Sequence, residues 1–160
     1  MFTIVGLIVA VAAALLLLVA VLNAGAGGMQ NSKASDAAAE LAQMELGIQG
    51  LYSAQASFNS LNNSVALDAG TSVVPPNLND GSGGIVNEWG GAITLGGNGA
   101  TFTISEAAVP QSACAILATK ASNPISVTVN GTSISAPVDA GTVAADCSSA
   151  SNNLVFTFGH

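Results

Sequence analysis

The residues able to do chemistry are few and scattered. The only histidine is His160, the last residue of the chain. No serine or cysteine nucleophile therefore has a partner base suggested by spacing, and a Ser/His/Asp set is excluded. The nine carboxylates lie apart, with no pair at an acid–base spacing. There is no G-x-x-x-x-G-K-[ST] stretch, and the Gly96–Gly99 run GGNG sits between strand-like segments rather than before a helix, so a phosphate cradle is not expected. Asn79-Asp80-Gly81-Ser82-Gly83 is a faint calcium-loop pattern without the further acidic ligands a site needs. Asn62 and Asn130 each open an N-x-[ST] sequon, and both read as plain loop positions. Trp89, the single tryptophan, reads as a packing anchor or as a ligand-stacking residue. Cys114 and Cys147 are the remaining reactive pair. In a chain that leaves the cytoplasm they read as one disulfide, against the alternative of two unrelated buried thiols. No catalytic residue, metal or cofactor is expected.

Charge narrows the partners. Half the residues are hydrophobic, yet only two are cations, Lys33 and Lys120, and the formal net charge is −7. Nothing is available to neutralise phosphates, which argues against nucleic acid. Anionic membrane surfaces are excluded as an electrostatic target for the same reason.

The elements behind these residues begin with an apolar helix. Ile4 to Leu22 is an unbroken run drawn from Ile, Val, Gly, Leu and Ala. A helix rises about 1.5 Å per residue, so this run matches a ~30 Å hydrocarbon core. No lysine or arginine precedes Lys33. A secretory signal would carry a basic start, so the expectation is that a basic leader has been removed and that Met1 is the processed N-terminus. The apolar helix is then retained for a purpose, as a lipid anchor or as the core of a helical assembly. Ile4, Val5, Leu7, Ile8, Val11, Leu15, Leu18, Val19 and Leu22 are the expected filament-core interface. Gly25, Gly27 and Gly28 follow. Each costs about 1 kcal/mol in a helix relative to alanine, which makes this a weak point that can bend or extend.

A second helical stretch starts at Ser35-Asp36 as a capped helix, or else continues through the glycines. Leu41, Met44, Ile48, Leu51 and Tyr52 form one apolar stripe, with Glu45 beside it. Residues 57–90 read as a long, exposed connection punctuated by Pro75-Pro76 and glycines. Strands follow: 92–95 and 101–104 around the GGNG turn, 125–129 and 132–134 around Asn130-Gly131, and 154–158. A short helix lies between them at 109–120, with Pro110 suited to its start. The fold class is α+β: a long N-terminal helix with its apolar half protruding, packed on an antiparallel sheet of four or five strands, and a C-terminal disulfide-closed region. The divisions are 1–28 (apolar filament-core or transmembrane helix with the glycine weak point), 29–56 (amphipathic half) and 57–160 (globular head).

NEWGGAITL, FTISEAAVPQSACAIL and ADCSSASNNLVFTFGH occur in that order. Together with the apolar-then-amphipathic helix they resemble the type IV pilins of the type IVb class, most of all the major pilins of conjugative-plasmid thin pili. The resemblance implies cleavage by a prepilin peptidase, a methylated N-terminal amine and a Cys114–Cys147 disulfide. It implies a structural major subunit, not an enzyme, that polymerises with copies of itself into an extracellular filament for mating contact, adhesion or aggregation. The pilus assembly machinery and the inner membrane are the implied partners before assembly. A minor pilin or secretion-system pseudopilin is the alternative. Where most pilins carry a glutamate near the start of the helix, this chain has Val5.

Overall fold

The computed structural model describes the backbone of residues 4–68 and 73–160, and the side chains of 28–68 and 73–160. One helix, α1, runs from Ile4 to Leu51. It continues through Gly25–Gly28, so Ser35 is not an N-cap. Its hydroxyl instead donates to the Asn31 carbonyl one turn back, at 2.9 Å. The burial pattern of α1 follows the helical period. Ala34, Ala37, Ala38, Leu41, Met44 and Ile48 are buried, while Leu51 is only half-buried.

The connection from 57 to 90 carries more structure than its composition announces. Asn62 caps the short helix α2 (Asn63–Leu67), its side chain accepting from the Val65 amide. A single 3-10 turn spans Pro76–Leu78, and the two-residue strand β1 is Ile85–Val86. The main sheet is built from β2 (Ala92–Asn98), β3 (Thr101–Pro110), β4 (Ser126–Val129), β5 (Thr132–Ser135) and β6 (Ser151–Gly159). The order is β1-β2-β3-β6-β4-β5, with every neighbouring pair antiparallel. The sheet thus counts six strands where four or five were expected, the extra one being β1. Its last strand in sequence lies in the middle.

Two turns differ in how well the sequence announced them. Asn130 and Gly131 both take positive φ, 50° and 94°, and close the β4–β5 hairpin as an Asn-Gly pair should. The β2–β3 turn is not GGNG but Gly99-Ala100. Gly96 and Gly97 stay in the ladder, opposite Thr103 and Phe102, and residue 97 must be glycine because the Phe58 carbonyl sits where a Cβ would be.

Helix α3 (Gln111–Lys120) starts two residues later than expected, since β3 keeps pairing as far as Pro110 opposite Ser151. It lies beside α1, and both helices bury small residues, Ala113 and Ala118 on α3 and Ala34, Ala37 and Ala38 on α1. Helix α4 (Ala140–Asp146) was not foreseen. Asp139 caps it, and seven residues are too few to show a helical period. The inward face of the sheet, α1 and α3 share one core. Tyr52, Phe58, Phe102 and Phe158 run through it as a chain of rings 4.8–5.4 Å apart.

Candidate functional site

Cys114 lies in the first turns of α3, and Cys147 caps the C-terminus of α4. The fold brings their Cα atoms to 5.8 Å and joins them in a disulfide, both residues being buried. Nearby, the wholly buried Asn152 holds three segments together. Its amide donates to the Val109 and Ser149 carbonyls, and its oxygen accepts from Asn130. Asn130 in turn donates to the Asp146 carbonyl. The hairpin turn, the end of β3 and the disulfide helix are thereby joined without a formal charge.

The NEWGG stretch proves to be a clamp. Asn87 Oδ1 accepts from the Trp89 and Gly91 amides, and its Nδ2 donates to the Ala107 carbonyl and to Glu106. Gly91 sits against the Ala107 carbonyl, where a Cβ would fall 1.9 Å away. Ala107-Ala108 is the irregularity in the β3–β6 pairing, and Ala108 has φ 57°. From the same turn, Trp89 Nε1 donates to Gln30 and the Glu88 carbonyl accepts from Lys33. Both partners lie on α1, so the clamp fixes the helix just after the glycines. Trp89 is a packing and hydrogen-bonding anchor here. Asn87 was missed, although an asparagine two residues before the turn's centre is an Asx-turn signal.

Carboxyls gather around this clamp. Glu106 is 2% exposed, and burial pushes its pKa up to about 7, with Asn87 opposing and Glu40 adding to the rise. Burial also raises Glu40, and the Asn77 side chain, which donates to it, pulls the other way. Glu45, flanking the stripe of α1, is raised by burial as well. Asp80 and Asp139 move down, because backbone amides donate to their carboxylates. Asp80 is thus engaged by its own loop, through Ser82 and Gly84. Among the described residues no group of three His, Cys, Asp or Glu side chains could hold a metal ion.

Met1, the side chains of Ile4, Val5, Leu7, Ile8, Val11, Leu15, Leu18, Val19 and Leu22, and the surroundings of Gly25 and Gly27 lie outside what the structure describes. Gly28 is exposed, with open space around it. Among the described residues no helix is long and apolar enough to cross a membrane.

A long N-terminal helix on an antiparallel sheet, with a disulfide-closed C-terminal region, is the fold of a type IV pilin. The crystal structure of TcpA, a type IV pilin from Vibrio cholerae El Tor biotype, superposes with a TM-score of 0.56 at 12% identity, over 80% of this chain and 99% of that one. The family model described as PilS N terminal matches residues 31–159, and the chain belongs to that family. No curated protein matches the sequence. Family and fold are those of pilus subunits, which are structural proteins and not enzymes.

Proposed function

We propose that this chain is the major subunit of a type IVb pilus, polymerising through its apolar N-terminal helix into an extracellular filament for mating contact, adhesion or aggregation. The observation that carries the proposal is the continuity of α1. One helix joins a charge-free run, Ile4–Leu22, to a half that is packed into a disulfide-closed pilin head. Burying a Leu, Ile or Val side chain is worth about 1.5–3 kcal/mol, so bundling such helices is strongly favourable even after the entropy of association. Before assembly the same run is held in the inner membrane. A prepilin peptidase exposes Met1, and the assembly machinery extracts the subunit. Gly25, Gly27 and Gly28 form the point at which the helix bends or lengthens in the filament. The abundance of Ser, Thr and Asn on the head, with few charges, favours a repeating unit over a minor pilin.

The test is to shear expressing cells, image the released material by cryo-EM and measure the intact mass of the same sample. Filaments built from this chain, two hydrogens lighter than the reduced mass, are the expected result. A chain that stays with the membrane and yields no filament refutes the proposal.

A further inference from the structure

Asn-Gly occurs twice in the chain, at Asn98-Gly99 and Asn130-Gly131, and each pair forms part of a hairpin turn. The dipeptide has a chemistry of its own. The glycine amide, with no Cβ beside it, can lose its proton to hydroxide and attack the side-chain Cγ of the asparagine before it. The N–Cγ bond forms, the Cγ–Nδ2 bond breaks, and ammonia leaves. Water then opens the cyclic imide to aspartate or to isoaspartate, whose backbone is one carbon longer. The reaction needs a glycine N–H open to base and an asparagine side chain free to swing onto it.

The fold treats the two pairs differently. At Asn130 the electrophile is held. Its Nδ2 donates to the Asp146 carbonyl at 3.1 Å and to Asn152 Oδ1 at 2.8 Å, and its Oδ1 accepts from the Asn153 amide at 3.0 Å. All of these bonds have to break before Cγ can reach Gly131. The Asn98 side chain is exposed and makes no hydrogen bond among the described residues; only its carbonyl is engaged, by the Thr101 hydroxyl. The guard here lies on the nucleophile instead. The Gly99 N–H donates to Asn59 Oδ1 at 2.7 Å, and Asn59 is itself exposed. A single solvent-facing bond keeps this pair from reacting.

We infer that Asn98 is a spontaneous modification site of this head, converting to aspartate and isoaspartate, and that Asn59 sets the rate by holding the Gly99 amide. The difference between the pairs matches what each position tolerates. Conversion at Asn98 adds one negative charge to a formal −7 and alters an exposed turn. At Asn130 it would put a carboxylate against the Asp146 carbonyl and lose both donated bonds. The link from the hairpin to the disulfide helix would go with them. The reaction belongs to the single chain and does not require the filament.

The test is ageing of the native, disulfide-intact chain in neutral detergent at pH 8, with the reduced chain unfolded in guanidinium as the reference. Pepsin digestion in acid and mass spectrometry read conversion at each asparagine, and electron-transfer fragmentation identifies isoaspartate. In the unfolded chain the two pairs convert at similar rates. Folding slows Asn98 by ~10-fold, for one bond, and Asn130 by ~100-fold or more, for several. Asn59→Ala alters an exposed side chain, so the variant keeps the Cys114–Cys147 disulfide and native circular dichroism. It raises conversion at Asn98 by ~5–10-fold and leaves Asn130 unchanged. Exchange of the Gly99 amide, which begins with the same loss of a proton, rises by the same factor. A native chain in which Asn130 converts as fast as Asn98, or in which neither converts over many unfolded half-lives, overturns the assignment. An Asn59→Ala variant in which Asn98 converts no faster overturns the role given to Asn59.

Discussion

Replacing Glu106 by glutamine will make the head more stable at neutral and alkaline pH, and the gain will vanish in mild acid. The carboxyl is 2% exposed at the point where β3 leaves register with β6. Its folded pKa of about 7 lies above the ordinary value of 4.5. Between those values the folded chain holds a proton that the unfolded chain has released. The unfolded state then binds fewer protons, so stability falls as pH rises from about 5 to about 7 and levels off above the folded pKa. One pKa unit corresponds to 1.36 kcal/mol, so the interval is worth about 3 kcal/mol. Glu40 and Glu45 are raised too and steepen the slope in the same direction. Glutamine keeps the volume and an oxygen to accept from Asn87, and carries no charge to desolvate. The expected gain for Glu106→Gln is about 2–3 kcal/mol at pH 8 and under about 1 kcal/mol at pH 5. Urea unfolding of the disulfide-intact chain in neutral detergent, followed by the fluorescence of Trp89, measures both variants across that range. A parent stability that is flat or rises with pH would refute the burial argument. So would a glutamine variant that is weaker at pH 8.

Three further outcomes follow from the same contacts. Cys114→Ser with Cys147→Ser removes the cross-link between α3 and α4. It lowers urea stability by about 3–4 kcal/mol for a loop of this size. Gly97→Ala places a Cβ 1.7 Å from the Phe58 carbonyl and costs about 3 kcal/mol or more, whereas Gly96→Ala, with only Thr103 Oγ1 nearby at 3.5 Å, leaves the unfolding midpoint nearly unchanged. Trp89→Phe loses the bond to Gln30, destabilises by about 1 kcal/mol and speeds amide exchange in residues 28–33 of α1, read by mass spectrometry.

The elements legible in the sequence were those with a long period or a specific turn. The stripe Leu41-Met44-Ile48-Tyr52 and the Asn130-Gly131 hairpin lie where the pattern puts them. What escaped was short or decided by distant contacts. The GGNG run looks like a turn by composition, but Gly96 and Gly97 pair with Thr103 and Phe102, and the glycine at 97 answers to the Phe58 carbonyl, far off in sequence, which fills the place of a Cβ. Asn87 and Asn152 are buried hubs whose partners lie on other elements, and neither has a local signature as strong as its structural role. Glu106 alternates correctly with the inward Phe102 and Ile104, so the period alone placed a carboxyl in the core. Only the NEWGG turn explains how it is tolerated there.

The polar bonds that tie elements together in this head run largely through side-chain amides. Asn63 pairs with the open edge of β2 beyond β1, accepting from the Leu95 amide and donating to the Ile93 carbonyl. Asn59 accepts from Gly99 at the hairpin turn, Gln49 ties α1 to the end of β6, and Gln30 receives Trp89. An amide carries no net charge, so these bonds are not screened by salt and cost less to bury than ion pairs. Chains of net charge −7 would repel one another when packed into a filament. A head held by amides can keep the charges it has at its surface and still pack closely. The buried Glu106 is the exception, and its neutral form is the one the fold favours.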